Sequence, residues 1–370
     1  MCIIAGYAGN KPAAPILIEM LKKTEYIDGG LSTGIATIHE GKLYMRKVVG
    51  DVDTLLRETD ALDLPGTTGI IHSRTGGDHI GHAHPFLADG GRLALCANGT
   101  SWGAGTPECL AEGNRIMDDL LDKGAVITSA VIPRSERPNS QRYLKNGYTY
   151  HVADTYAQIA GDGVKGLEGE ELRKALADSM RRGIEALPLD VITVAVHEGI
   201  PDTISIATVT RPMSVGIGDG ETFMCTTPFG LPEYVQNRSI IFIPPTSVSQ
   251  LTKNGLNIIS ASLLETKVEQ IDFRLAMKFR QELESLLKVG EENAIDLYDI
   301  PFYTDWDSIW TKPLVDSKYV LEGTRLKPVA SALYEGLWSF HKEGRLKMKL
   351  GTRINSKGVQ KKIMKFWLEY

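Results

Sequence analysis

Apolar and polar positions in the first part of the chain fall into short alternating or β-branched runs. MCIIAGYAG, LSTGIATIH, KLYMRKVVG, GIIHSR and RLALCANG are the clearest, with Gly, Asn and Asp punctuating them, and that pattern predicts strands. Apolar residues at helical spacing predict helices near Pro15–Lys23, Asp53–Leu62 and Ala111–Lys123. From Val191 a second set of strand-like runs follows, VITVAVH, TISIATV, GETFMCTT and SIIFI, divided by turns such as EGIPD and GDG. Interleaved strands and helices of this kind predict an α+β fold or a layered αββα sandwich.

After about Ile259 the pattern changes. SLLETKVEQIDFRLAMKFRQELESLLKVG keeps helical spacing until Gly290, and an aromatic loop, IPFYTDWDSIW, leads to a second helical stretch, ASALYEGLWSFHKEG. A strand-like RLKMKLGTRI comes next, and VQKKIMKFWLEY reads as a helix. A mainly helical C-terminal extension is therefore expected over residues 261–370. It would pack on the sandwich or meet a second copy of the chain through Trp306, Trp310 and Trp338. From Lys342 on there are nine Lys or Arg against two acids. A helix followed by a hairpin would fit a winged helix, but no strong nucleic-acid signature accompanies it, and nucleic acid is not an expected partner.

Composition narrows the classes. With 370 residues, 42% of them hydrophobic, the chain buries a sizeable core. A net charge of -5 supplies no global field for nucleic acid or anionic membrane. No apolar run approaches the roughly 18 residues of a membrane span, and no signal peptide is recognisable. Cys2, Cys96, Cys109 and Cys225 form no CxxC pair, so a reducing, cytoplasmic setting is expected. His72, His79, His82 and His84 fall within thirteen residues. They lack the accompanying ligand spacing of a metal site, so neither metal nor cofactor is expected.

Four places offer chemistry. Removal of Met1 would leave Cys2 with a free α-amine, a group that titrates near 7.7–8.0 and can take the thiol proton at neutral pH. Arg74, closing GIIHSR, offers a fork suited to a carboxylate. Asn98 and Gly99 pair a side-chain amide with a backbone N–H, two donors for an oxyanion, although Asn-Gly alone is more often a turn. Asp154, in GYTYHVADTYAQIA, could hold an ammonium or cap a helix.

The order Cys2, IIHSR, AHPF, ALCANG, GYTYHVADT, followed by the RPMSVGIGDGETF segment, resembles the class II glutamine amidotransferases over about residues 2–260, and in particular the glutaminase domain of glucosamine-6-phosphate synthase. The resemblance implies a four-layer N-terminal-nucleophile hydrolase sandwich. It also implies that Cys2 attacks the side-chain amide of L-glutamine, with Asn98 and Gly99 stabilising the oxyanion. Arg74 would bind the α-carboxylate and Asp154 the α-ammonium, with Thr75 and His84 among the substrate contacts. Ammonia would leave, and water would release glutamate from a γ-glutamyl thioester. The sugar-isomerase domains of that synthase have no counterpart here, so a separate ammonia-accepting synthase subunit is implied; a homo-oligomer is also compatible. Two departures stand out. Ile3 replaces a glycine and is expected to add bulk beside the sulfur, and the loop from Thr75 to Pro85 is shorter, leaving Thr75 and His79 in place of a Thr-His pair. They favour the alternative of a catalytically inactive relative serving as a binding or regulatory module.

Overall fold

The computed structural model describes residues 2–77, 79–99, 107–261, 273–301, 329–354, 358 and 360–369. Trp306, Trp310 and most of the aromatic loop lie outside the described residues, as does the first part of the long helix expected before Gly290.

Two antiparallel sheets face one another. The first runs β13 (Ile240–Phe242), β11 (Ser214–Ile217), β12 (Thr222–Cys225), β1 (Ile3–Ala8), β4 (Thr68–Arg74), β2 (Ser32–His39), β3 (Lys42–Val48). The second runs β15 (Gly255–Ser260), β14 (Ser247–Thr252), β10 (Ile204–Thr208), β9 (Ile192–His197), β6 (Leu93–Asn98), β5 (Phe86–Ala88). Between them lie Ile4, Ile70, Cys96, Val194, Ile206 and Met224. A short ladder, β7 (Ile132–Pro133) with β8 (Tyr148–Thr149), sits apart.

Helices cover both outer faces. On the second sheet, α4 (Val152–Asp162) and α5 (Gly169–Ala186) bury Tyr156, Leu176 and Met180 against Leu95 and Ala195. α3 (Pro107–Asp122) packs beside α4. On the first sheet, α1 (Ala13–Thr24) lays Leu17 and Leu21 over Ile35, Ile71 and Phe223, and its last turn carries Lys22 and Lys23, which complement the helix dipole. α2 (Val52–Glu58) starts where the Asp51 carboxylate accepts the Thr54 N–H at 3.0 Å. α6 (Glu233–Gln236) is one turn long. The layers are helix, sheet, sheet, helix, as the strand and helix pattern predicts.

The C-terminal residues join the same core. α7 (Phe273–Leu286) and α8 (Val329–Lys342) contribute Leu283, Leu337 and Phe340 to the cluster that holds Leu17 and Phe223. Trp338 lies edge-on to Phe229 at 5.5 Å, a contact within this chain. The last segment corrects the helical reading: β16 (Leu346–Ile354) and β17 (Gln360–Leu368) form a hairpin, and Phe366 pairs with Ile295. Its cations are largely spent internally. Lys365 and Arg353 meet the buried Asp296 at 2.6 and 2.8 Å, and Lys349 meets Glu291 at 2.6 Å. A shared core predicts shared unfolding: Leu337→Ala should cost about 2–5 kcal/mol and leave one cooperative transition in a thermal melt followed by circular dichroism. A separate early transition would make the C-terminal part an independent unit.

Candidate active site

β1 is central in its sheet and buried on both sides, so its side chains alternate between two cores. Ile3, Ala5 and Tyr7 enter the outer core beneath α1, while Ile4 and Ala8 enter the core between the sheets. Cys2 precedes Ile3 and shares the inter-sheet side with Ile4. Ile3 is fully buried on the opposite side. The expectation that Ile3 crowds the sulfur is therefore corrected: period-two alternation carries it away.

The start of β1 is pinned across the sandwich. The Cys2 N–H donates to Asn98 Oδ1 at 2.9 Å, and Asn98 Nδ2 donates to the Cys2 carbonyl at 2.8 Å. Asn98 is the last residue of β6 and buried, so one side chain of the second sheet fixes residue 2 of the first. One N–H of the Asn98 amide remains for another acceptor. Gly99 follows with φ of 111°. A Cβ there would stand 2.1 Å from the Asp190 carbonyl and 2.6 Å from Arg211 Nε, so only glycine fits. Beneath it lies a buried ion pair, Arg211 Nη2 to Asp190 Oδ2 at 2.5 Å, with the Thr210 hydroxyl also donating to Asp190.

The Cys2 sulfur lies 3.8 Å from Thr75 Oγ1. Burial raises the thiol pKa, but the His72 ring, the N-terminal charge and the Thr75 backbone more than offset it and bring the thiol down to about 6. Continuing the β1–β4 register sets Arg74 opposite Cys2. Its Nη1 donates to the Gly76 carbonyl at 3.2 Å, so the guanidinium lies over its own loop. His84 is buried, accepts the Ala97 N–H at Nδ1 (3.0 Å), and stacks on His72 with centroids 4.1 Å apart. Burial, then the neighbouring His72, holds its pKa well below the ordinary value, so the ring is neutral.

Asp154 lies in the first turn of α4, fully buried. The cap itself is His151, whose Nδ1 accepts the Ala153 N–H. The Asp154 carboxylate accepts from the Ser129 N–H and Gln158 Nε2, both at 2.8 Å, and from the Thr128 hydroxyl at 3.4 Å. Burial raises its pKa, against those bonds. Among the described residues no hydrogen bond joins it to Cys2, Arg74 or Asn98. His79 turns its Nδ1 onto the Gly81 N–H at 2.9 Å. Cys2, Thr75, Asn98 and Gly99 thus form one locus with Arg74 at its edge, whereas the Asp154 carboxylate is engaged by Ser129, Gln158 and Thr128. No group of three or more His, Cys, Asp or Glu among the described residues is arranged to hold a metal.

Three contributors have no role assigned to them by the sequence pattern. His72 lies on the Arg74 face of β4, which alternation in IIHSR would have shown. Lys47 reaches from β3 to the carbonyls of Ala83 and Pro85, at 3.1 and 3.5 Å. The Asp190–Arg211 pair is joined only by the pairing of β9 with β10, and no local signal marks it.

No family model matches the chain. It is 26% identical over 284 residues to the glutamine–fructose-6-phosphate aminotransferase (isomerizing) of Pyrococcus horikoshii, which covers 75% of this chain and 41% of that protein. The protein of the same name from Thermococcus kodakarensis is 28% identical over 285 residues, with the same two coverages. The chain spans about two fifths of the length of these curated relatives. Among solved structures, the glutamine phosphoribosylpyrophosphate amidotransferase of B. subtilis superimposes with a TM-score of 0.52 at 14% identity, covering 79% of this chain and 59% of that one, which shows a shared fold. In its two-sheet sandwich, and in the relatives it matches, this chain is similar to the class II glutamine amidotransferases.

Proposed function

We propose that the chain hydrolyses L-glutamine to glutamate and ammonia, with Cys2 as nucleophile once Met1 is removed. The observation that carries this reading is the double hydrogen bond between Asn98 and Cys2, which holds an acidified thiol beside an amide donor and a glycine backbone. Sulfur attacks the side-chain amide carbon. The oxyanion then takes the remaining Asn98 N–H and the Gly99 N–H, two donors in a water-poor corner. The protonated α-amine gives its proton to the amide nitrogen as the C–N bond breaks and ammonia leaves; water then adds to the thioester carbonyl, its proton returns to the α-amine, and the C–S bond breaks to release glutamate and the Cys2 sulfur. Arg74 swings from Gly76 to the substrate carboxylate, with Thr75 and His84 shaping the wall and Asp154 taking the ammonium. The relatives are named for transfer to fructose 6-phosphate, and the matched part is about two fifths of their length. We assign ammonia acceptance to a separate synthase subunit. Asn98→Ala should lower kcat for glutamate release by roughly 10²–10³; a rate equal to wild type would remove Asn98 from the oxyanion site.

A second reading has one observation in its favour: the Asp154 carboxylate is already bound by Ser129 and Gln158, so the amide substrate need not carry an amino-acid head group. Asp154→Asn separates the two. If Asp154 holds the ammonium, KM for glutamine rises about 10- to 100-fold with kcat nearly unchanged, as loss of a charge-assisted hydrogen bond requires. An unchanged KM supports the other substrate class.

A further inference from the structure

We propose that the C-terminal region sets both walls of the glutamine site through two positioning residues: Ser331 on α8 fixes the oxyanion wall at Gly99, and Tyr298, after α7, fixes the carboxylate wall at Arg74. The proposal deepens the glutamine-hydrolysis reading and rests on it for its kinetic half. Both residues lie beyond the stretch, about residues 2–260, that resembles the class II glutamine amidotransferases.

The Ser331 hydroxyl donates to the Thr210 carbonyl at 3.1 Å. Thr210 is itself fastened, its hydroxyl donating to the Asp190 carboxylate, and Arg211 follows it in the chain and closes the ion pair to Asp190 at 2.5 Å. Gly99 rests on both partners of that pair, since a Cβ there would stand 2.1 Å from the Asp190 carbonyl and 2.6 Å from Arg211 Nε. Packing this close passes a shift in residues 210–211 on to the Gly99 N–H. Leu333 and Leu337 seat α8 in the outer core and keep Ser331 in place. Tyr334, three residues after Ser331 and on the same helix face, is fully buried. Burial raises its phenol pKa and Arg211 opposes the rise, in keeping with an α8 face turned toward the ion pair.

The Tyr298 hydroxyl donates to the buried Asp28 carboxylate at 2.7 Å, and Lys361 Nζ from β17 donates to that hydroxyl at 3.2 Å. Asp28 opens the turn that enters β2. Along that turn the Gly30 N–H donates to Ser73 Oγ at 2.8 Å and the Leu31 N–H to the Arg74 carbonyl at 3.0 Å. Ser32 Oγ then donates at 2.8 Å to the Gly76 carbonyl, the same carbonyl that holds the Arg74 guanidinium. The turn fastened by Tyr298 thus carries the main chain of Arg74 and the loop beyond it. The two walls serve different steps. Arg74 grips the carboxylate of bound substrate and transition state alike, whereas the Gly99 N–H acts once charge forms on the amide oxygen.

The test is glutamate release by full-length Ser331→Ala and Tyr298→Phe, each of which removes one oxygen from a half-buried side chain. Turnover is counted per Cys2 that a diazoketone analogue of glutamine labels, so an unfolded fraction does not enter. Ser331→Ala should lower kcat about 10-fold with KM nearly unchanged, because a displaced donor is lost to the transition state alone. Tyr298→Phe should raise KM about 10-fold with kcat nearly unchanged, because the carboxylate contact weakens in both states. Constants equal to wild type, or the same pattern in both variants, would overturn the proposal. Amide exchange of the unliganded proteins needs no glutamine. Ser331→Ala should speed exchange of the Val209 N–H, bonded to the Val191 carbonyl at 2.8 Å, and Tyr298→Phe that of the Leu31 N–H, each sparing the other. That exchange pattern with no glutamate release by wild type sinks the substrate reading alone; glutamine turnover with exchange unchanged in both variants sinks the role of Ser331 and Tyr298.

Discussion

Replacing Cys2 with alanine is expected to abolish glutamate release from glutamine, a loss of about 10⁴-fold or more, the scale seen when a covalent nucleophile is deleted. The fold should not notice. Both contacts that fix residue 2, to Asn98 Oδ1 and Nδ2, use backbone atoms that alanine keeps. Stability should therefore stay within about 0.5 kcal/mol of wild type in a denaturant titration. Residual hydrolysis near the wild-type rate would move the chemistry elsewhere. Cys2→Ser should be nearly as damaging, because a hydroxyl lacks the acidity that the site gives a thiol.

Arg211→Ala is expected to be the most destabilising single change near the site, at about 3–5 kcal/mol. It would strand the Asp190 carboxylate, which is fastened to Arg211 at 2.5 Å inside the protein. The pH dependence has a definite sign. Burial raises the folded-state pKa of Asp190 and Arg211 opposes that rise, so losing Arg211 raises it further. A carboxylate that is more basic when folded destabilises above its pKa and stops doing so once protonated. The gap between variant and wild type should therefore narrow as pH falls and widen toward neutrality, measured by urea midpoints at several pH values. Replacing both partners with apolar residues of similar size should cost less than Arg211→Ala alone. Because Gly99 leans on Arg211 and the Asp190 carbonyl, glutamate release by surviving Arg211→Ala should also fall.

Legibility tracked the range of the interactions. The strands of the first 100 residues could be read because each is short, β-branched and flanked by glycine, and helix α1 because its apolar face repeats at helical spacing. β17 could not. Ile363, Phe366 and Trp367 satisfy a helical spacing as readily as a strand, and it is pairing with β16 and Ile295 that decides. Within the site, Cys2, Asn98, Gly99 and Arg74 were legible as residue types in order. Asp154 is read from the sequence as an ammonium ligand or a helix cap, but its embrace by Ser129 and Gln158 depends on a loop packing that no local pattern encodes. Ile3 was misjudged by counting neighbours along the chain rather than across the strand. The Asp190–Arg211 pair was invisible because the two residues meet only after two strands have paired.

The most direct measurement is intact-mass spectrometry of the purified protein before and after exposure to a diazoketone analogue of glutamine. The account predicts a chain lacking Met1 that gains one adduct, located on Cys2 by peptide mapping and blocked by excess glutamine. A chain that keeps Met1, or one that loses it and takes no adduct at Cys2, would contradict the claim that the amino-terminal thiol is the glutamine nucleophile.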